Sequence, residues 1–446
     1  MDFVAISIKE FINSDYVHNQ ITTHLTDTET LKLGFTSSFS VSHTAIDSGI
    51  LLRWARGSQC SGAVGNDIVQ LLQSALGRNG VNICCAALVN VAVGSLLTQA
   101  YNYPSKFTAA ILTSGATGAY IEDTRNIRTP QSDASEMLIS IDWGNFDKDK
   151  HILPVTIFDN KLDRESTNPG FQVFEKMVSG MYLGEITRNI LLHLIDHRAL
   201  FDGTSSPILN RSWSFLTKHM SDIERDRTPM LIPTAQLLEH ELEIKFNTLA
   251  DRQVLKYVCQ LVGKRAARLS AMVAAALIRQ MLEKGCLRDR GYTLRTSQES
   301  YSYLSRSNHG SSNNHGRAGV QSNSAPASLS STSSATSTTS SSGGQPSSHA
   351  TPIHVGVESS VYELYPDFKT NMKEALVEIL GPSANETVVL DTASRDGFGI
   401  GAALATMETS MTLSGEARNR SDNNITICRQ QQTARKQLTA SSSQQQ

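Results

Sequence analysis

One apolar stretch, Val81 to Ser95, constrains the fold of this chain more than any other. Its central part, Cys84 to Val89, is short, apolar and without period-2 alternation, which is typical of a strand buried on both faces of a sheet. The polar Asn90 follows directly, at the carboxyl end of this predicted strand. Because open α/β sheets bind ligands outside the carboxyl ends of their strands, Asn90 is a candidate ligand-contacting residue.

The rest of the apolar pattern predicts alternating helices and strands. Helical spacing predicts helices over 3–13, 65–76, 174–194, 255–284, 369–379 and 396–407. Short apolar runs predict strands over 31–40, 107–113, 137–142 and 387–390, with a further strand–helix unit resuming at 353. Asn66 is the candidate N-cap of the second helix and Gly77 its C′ residue, and Gly285 is expected to end the long helix.

Two segments differ in composition from the remainder of the 446 residues. Residues 294–352 are mostly Ser, Thr, Asn, Gly and Ala, and the chain from about 411 to 446 is Ser- and Gln-rich. Such segments bury too little apolar surface to offset their ordering entropy, so both are predicted to be disordered and dispensable for folding. The first is an insertion into a domain, because a strand–helix unit resumes after it.

Charge and cysteine content exclude several classes of protein. A formal net charge of −2 gives no electrostatic case for binding nucleic acid. The six cysteines have no metal-ligand spacing, so no metal site is expected, and a reduced intracellular compartment fits them best. The N-terminus does not resemble a signal peptide, and no apolar run is long enough for a membrane span. An intracellular location, cytoplasmic or nuclear, is therefore expected, without a membrane partner.

Several motifs resemble the eukaryotic hexokinases. They are Ala-Leu-Val-Asn at 87–90, Ser-Gly-Ala-Thr-Gly-Ala-Tyr at 114–120, Phe-Glu-Lys-Met-Val-Ser-Gly-Met-Tyr-Leu-Gly-Glu at 174–185, Leu-Phe-Asp-Gly-Thr-Ser-Ser at 200–206 and Arg-Ala-Ala-Arg-Leu-Ser-Ala at 265–271. The resemblance covers about residues 1–292 and 353–408. It implies an α/β, two-lobed actin-like ATPase fold, with the sugar held in the cleft and ATP bound on the larger lobe.

The resemblance also divides the chain. It implies a remnant of the small lobe over 1–90, truncated at its N-terminus, and the large lobe over 91–293 and 353–410. The insertion at 294–352 and the tail at 411–446 lie outside it. The family's first phosphate loop, Asp-x-Gly-Gly-Thr-Asn, does not occur in this chain, which implies impaired ATP use or a coding start set too late.

At the sugar site, the resemblance implies both retained and altered residues. In the family the conserved Asn is followed by an Asp that takes the proton from the sugar's 6-hydroxyl, whereas here Val91 follows Asn90. No catalytic base is therefore expected. The implied sugar-binding residues are Ser38, Arg56, Asn90, Thr117, Asp142 and Glu175. Arg56, Thr117 and Asp142 replace the family's Lys, Asn and Glu. For His43, ligand contact and an ordinary surface or turn role are equally good interpretations.

The implied nucleotide-binding residues are Ser114, Gly115, Gly356, Ser360 and Gly399. The family's Val-Asp-Gly-Ser is Val-Glu-Ser-Ser at 357–360, so Ser359 brings a side chain to a position where Gly lets the backbone approach a ligand. The family's Asp-Gly-Ser-Gly is Asp-Gly-Phe-Gly at 396–399, which places the Phe398 ring near the same site. ATP with Mg²⁺ is accordingly a ligand only if activity survives.

Three hypotheses follow. The first is a regulator without phosphotransferase activity, close to the catalytically inactive hexokinase-like proteins of filamentous fungi that act in carbon-source and starvation responses, with unidentified protein partners. The alternative is a weak or active ATP-dependent hexose 6-phosphotransferase that converts glucose to glucose 6-phosphate in glycolysis. The third is a truncated gene product without a stable small lobe.

For the first hypothesis, we expect no measurable glucose phosphorylation. Two or three imperfect sugar contacts would weaken hexose binding by about 3–6 kcal/mol. Glucose binding is therefore expected to be weak or absent, and signalling to depend on protein contacts.

Overall fold

The computed structural model describes residues 1–24, 30–54, 57–103, 107–112, 115–128, 135–284, 352–393 and 396–414. The predicted insertion, except for residue 352, and the tail beyond 414 lie outside the described residues. Of the part assigned to the tail, residues 411–414 belong to the last helix. No helix among the described residues is long and apolar enough to cross a membrane.

The first part of the chain forms two small sheets flanked by helices. Its elements are α1 (Asp2–Ile12), α2 (Asp15–His24), β1 (Leu31–Ser37), β2 (Ser40–Ala45), β3 (Ser48–Arg53), α3 (Ile68–Arg78) and β4 (Ile83–Asn90). Strands β1 and β4 pair in parallel, and β2 and β3 form an antiparallel hairpin. The strand predicted over Cys84 to Val89 is β4, and Asn90 is its last residue.

A five-stranded sheet forms the centre of the second part, in the order β7-β6-β5-β8-β9. Its strands are β5 (Phe107–Leu112), β6 (Thr117–Asp123), β7 (Glu136–Asp142), β8 (Ile353–Glu358) and β9 (Val388–Thr392). Strands β5, β8 and β9 run parallel, and β6 and β7 run antiparallel to their neighbours. The sheet therefore joins strands from both sides of the predicted insertion.

Helices pack on this sheet and complete the larger lobe. They are α4 (Val91–Asn102), α5 (Ile157–Glu165), α6 (Val173–Val178), α7 (Gly180–Asp196), α8 (Pro207–Asn210), α9 (Thr217–Arg225), α10 (Ile232–His240), α11 (Leu249–Glu283), α12 (Ser360–Leu364), α13 (Phe368–Leu380), α14 (Ala384–Thr387) and α15 (Gly397–Ser414). The largest apolar core joins residues of β5, β6 and β8 to α7, α11 and α13. Alanines 266, 267, 271, 274 and 275 of α11 are buried there, as their small size predicts.

Helices α4 and α15 connect the two parts of the molecule. They cross so closely that a Cβ atom on Gly401 would lie 1.9 Å from the Gly94 carbonyl oxygen. Helix α15 also packs on β1, where a Cβ on Gly34 would lie 2.4 Å from the carbonyl oxygen of Ala402. These glycines are required because no side chain fits between the backbones.

Several predicted boundaries differ from the structure, and the last helix, predicted to end at 407, continues to Ser414. Helix α3 is capped by Asp67, whose Oδ1 accepts hydrogen bonds from Val69 N at 2.8 Å and Gln70 N at 3.2 Å. Asn66 instead donates to the carbonyl of Gly62, and the helix continues past Gly77 to Arg78. Asp and Asn are equally good N-caps, so position decides between them: Asp67 directly precedes Ile68, the first helical residue.

The predicted helix over 174–194 is two helices, α6 and α7. Ser179 separates them with an extended ψ of 134°, and its hydroxyl caps α7 at Met181 N. Helix α11 begins at Leu249, six residues before the predicted start, because Thr248 and Asp251 form a reciprocal capping box. Gly285 lies outside the described residues.

Candidate functional site

A cleft of about 320 Å³ lies between the β2–β3 hairpin and the ends of β4, β6 and β7. Its lining residues are Ser37, Ser38, Phe39, Ser40, Val41, His43, Leu52, Asn90, Gly115, Thr117, Ser140, Asp142 and Gln172. The volume lies within the range of small-molecule pockets, and most of the lining side chains carry a hydroxyl, amide, imidazole or carboxyl group.

Sheet register brings the predicted sugar residues to this cleft. Ser37 pairs with Asn90 at the carboxyl ends of β1 and β4, so Ser38 and Asn90 become neighbours. Thr117 pairs with Asp142 at the adjacent ends of β6 and β7. Four of the six predicted sugar residues therefore line one cavity.

Asn90 has a structural role as well as a place in the cleft. Its Oδ1 accepts a hydrogen bond from Ala92 N at 2.9 Å and so caps helix α4. One carboxylate oxygen of Asp142 is likewise in a hydrogen bond, because its Oδ1 accepts from Gly144 N at 3.0 Å.

Glu175 is not among the residues that line the cleft. It lies in the first turn of α6, is 1% exposed, and its backbone N–H donates to the Gly144 carbonyl at 3.2 Å. Gln172, which the sequence reasoning missed, lines the cleft instead. Its Oε1 is buried, with no hydrogen-bond partner among the described residues, and would lie 1.9 Å from a Cβ on Gly144.

Gln172 is held in place by its backbone. It has a left-handed φ of +55°, precedes α6, and its N–H donates to Asn145 Oδ1 at 3.1 Å. The sequence pattern does not identify Gln172 as a cleft residue. Its position depends on the missing side chain at Gly144, which lets two separate loops come into contact. Arg56 and Ser114, both predicted site residues, lie outside the described residues.

Val91 is the first residue of α4 and directly follows the cleft residue Asn90. It is half-buried and packs against an apolar cluster that contains Ala92, Leu96 and Ile121. A valine side chain has no atom that accepts a proton. The first turn of α4 therefore presents no base to the cleft.

Comparisons with known proteins identify the fold. A family model described as "Hexokinase" matches residues 107–408, and a second model with the same description matches residues 1–101. A glucokinase of Aspergillus niger is 32% identical over 401 residues, covering 85% of this chain and 68% of that protein. Hexokinase-3 of Arabidopsis thaliana is 32% identical over 408 residues, covering 90% of this chain and 70% of that protein. The chain belongs to the hexokinase family.

A solved structure agrees with this assignment. The hexokinase from Schistosoma mansoni complexed with glucose superposes with a TM-score of 0.67 and 26% identity, covering 92% of this chain and 74% of that one. The predicted two-lobed hexokinase fold is confirmed. The cleft of this chain lies between the two lobes of that fold.

The predicted nucleotide residues that the structure describes lie on different elements of this hexokinase-family chain, and the parallel pairing of β5 with β8 places the β5–β6 turn and the start of α12 at one edge of the sheet. Gly115 is buried and lines the sugar-side cleft with Asn90. Gly356 lies within β8 and packs against Gln99 of α4, whose Oε1 would be 1.8 Å from a Cβ at that position. Ser360 begins α12, and Gly399 lies in the first turn of α15 with open space beside it.

The face that carries Ser360 does not fit a phosphate group. The hydroxyl of Ser359 accepts hydrogen bonds from Val361 N at 3.2 Å and Tyr362 N at 3.4 Å. These helix N-terminal N–H groups are the kind that bind phosphate elsewhere, and here a side chain already satisfies them.

Glu358 keeps the carboxyl group of the family's Asp at this position. Burial raises the pKa of Glu358, and the negative charges of Glu363 and Asp396 raise that pKa further, against a hydrogen bond from Ser95 that lowers it. Among the described residues, no group of three or more His, Cys, Asp or Glu side chains could hold a metal ion.

Proposed function

We propose that this chain is a hexose-binding member of the hexokinase family that lacks efficient phosphotransferase activity and acts as a regulator. The observation that carries the proposal is Val91, which stands directly after the cleft residue Asn90 and has no proton-accepting atom. Loss of a general base costs about 10²–10⁴-fold in rate. A rate reduced this far suits a receptor rather than a glycolytic enzyme.

The nucleotide-facing loops support the same proposal. The Ser359 hydroxyl caps its own helix and occupies the N–H groups that a phosphate would need. This feature opposes phosphate binding and does not depend on Val91. Val91 and Ser359 are therefore two independent departures from phosphotransfer.

The sugar side supports a hexose ligand. Ser38, Asn90, Thr117 and Asp142 share one cleft, and the Schistosoma mansoni relative has glucose bound. Each buried polar group left without a partner costs about 1–3 kcal/mol. The shorter side chains of Thr117 and Asp142 would leave such gaps, so we expect binding of glucose with a dissociation constant of about 1 mM or weaker.

The regulatory part of the proposal concerns carbon-source or starvation responses, as in the inactive hexokinase-like proteins of filamentous fungi. Such a regulator acts through protein partners in the cytoplasm or nucleus. Deleting the gene in its source organism would alter growth on slowly used carbon sources relative to glucose. An identical growth profile with and without the gene would contradict this role.

A second candidate is a weak ATP-dependent hexose 6-phosphotransferase. It is favoured by the retained Asn90 and by the names of the relatives, which are hexokinases and a glucokinase. Positioning of the sugar alone would then support slow turnover. The assay below separates the two candidates.

Phosphotransfer is tested in a coupled assay at saturating ATP and glucose, with the purified full chain. We expect no turnover above background, and no change in the Asp142→Asn variant, which alters a half-engaged cleft carboxylate. Turnover of about 1 per second, at the low end for enzymes, that is lost in Asp142→Asn would establish the second candidate instead. The Glu239→Gln variant, at an exposed position away from the cleft, controls for a contaminating kinase.

A further inference from the structure

The imidazole of His43 lines the cleft from the β2–β3 hairpin. His43 lies on β2 opposite Gly49 and shares the cleft wall with Asn90 and Asp142. Its ring is thus placed against the same cavity as the predicted sugar residues, but from the smaller lobe.

Within the described part of the chain, the imidazole of His43 has no hydrogen bond and no ion pair. The side chain is exposed to the cleft, yet the cleft walls withdraw enough water to lower its pKa from the ordinary value of 6.5. Desolvation is the cause, since the charged imidazolium loses more hydration than the neutral ring. A neutral ring offers one donor and one acceptor, which matches a sugar hydroxyl.

The other charged groups near the cavity do not offer a sugar hydroxyl a donor and an acceptor together. Asp142 is the only carboxylate on the described cleft wall, and one of its oxygens is already bonded to Gly144 N. Arg53 and Lys148 contact the ring of Phe171 beside the cleft, and Glu175 is buried behind it. At neutral pH the described cleft wall therefore combines one carboxylate with hydroxyl, amide and imidazole groups.

We propose that His43 contacts the ligand and selects an uncharged hexose. The unprotonated ring nitrogen of His43 accepts a hydrogen bond from a hydroxyl of that sugar. This inference rests on the proposed hexose binding. Protonation of the ring removes the acceptor, so affinity falls as the pH drops through the pKa of His43.

The experiment measures the dissociation constant of D-glucose by calorimetry with the full chain at pH 7.5 and at one pH unit below the pKa of His43 that an NMR titration gives. We expect affinity about five- to tenfold weaker at the lower pH, the effect of one lost hydrogen bond. In His43→Gln the ratio of the two constants should be close to one. His151→Gln, an exposed histidine away from the cleft, should behave as wild type.

A second measurement needs no substitution. The ring protons of His43 are followed by NMR as the pH is lowered, with and without glucose, and bound glucose should lower the pKa of His43 further. Equal pH ratios in wild type and His43→Gln, or a titration that glucose leaves unmoved, would overturn the role of His43 while hexose binding stood. Absence of any glucose binding to the wild type would overturn the proposed function itself.

Discussion

At the scale of single residues, the burial of Glu224 in α9 makes the stability of the native state depend on pH. It is buried, its Oε2 has no hydrogen-bond partner among the described residues, and burial raises its pKa to about 7. Asp367 raises that pKa further, while a hydrogen bond with Tyr365 lowers it. The native state therefore holds a proton that the unfolded chain releases near pH 4.5, and stability is lost as the pH rises from about 4.5 to about 7.

Replacing Glu224 with Gln should remove this loss. We expect the variant to be more stable than wild type at pH 8, by about 3 kcal/mol at most, and nearly equal to it at pH 5. Thermal unfolding at both pH values measures the difference. The matched control is Glu239→Gln, an exposed site; equal pH slopes in the two variants would show that Glu224 is ordinary in the native state.

At the scale of elements, the loop before α6 depends on Gly144. An Ala there would bring its Cβ 1.9 Å from the Gln172 Oε1 and force that amide out of the cleft. Because only the end of a flexible side chain must move, we expect Gly144→Ala to fold but to bind glucose about tenfold more weakly. The constant is measured by calorimetry, beside Gly77→Ala, which has open space around it.

The double variant Gly144→Ala, Gln172→Ala distinguishes this mechanism from a general disturbance. If displacement of the amide is the cause, Gln172→Ala alone weakens binding equally and the two losses are not additive. Additive losses would show that Gly144 acts by another route.

The sequence predicts some of the strands at the cleft, but not β2, β3 or β6, the strand order, or the local chemistry at the element ends. Apolar runs locate β4 and β7, and strand register then brings Asn90 together with Ser38 and Thr117 with Asp142. Helical periodicity runs unbroken through Ser179, so it does not reveal the break that separates α6 from α7. Placement of Gln172 and Glu175 relative to the cleft depends on contacts between distant loops, which periodicity does not contain.

At the scale of the whole molecule, a contact beside the cleft links its two sides. The guanidinium carbon of Arg53, on β3 of the smaller lobe, lies 5.2 Å from the ring centroid of Phe171, on the loop before α6. Lys148 Nζ lies 5.7 Å from the same centroid. Both Arg53 and Phe171 adjoin residues that line the cleft, Leu52 and Gln172. This contact therefore holds the hairpin against the larger lobe.

Removing the ring should favour opening of the cleft. Of the two contacts only Arg53–Phe171 crosses the cleft, because Lys148 and Phe171 both belong to the larger lobe. A cation–π contact at an exposed site contributes about 0.5–1 kcal/mol, so losing this one shifts the equilibrium about 2- to 5-fold. We expect Phe171→Leu to speed hydrogen exchange of the β2 and β3 amides by this factor in the absence of sugar. Phe146 has the same 43% exposure but packs on Phe174 within the larger lobe, so Phe146→Leu is the control. If the hairpin exchanges at the wild-type rate in Phe171→Leu, other contacts hold the lobes together, and the hairpin closes over the cleft without help from this ring.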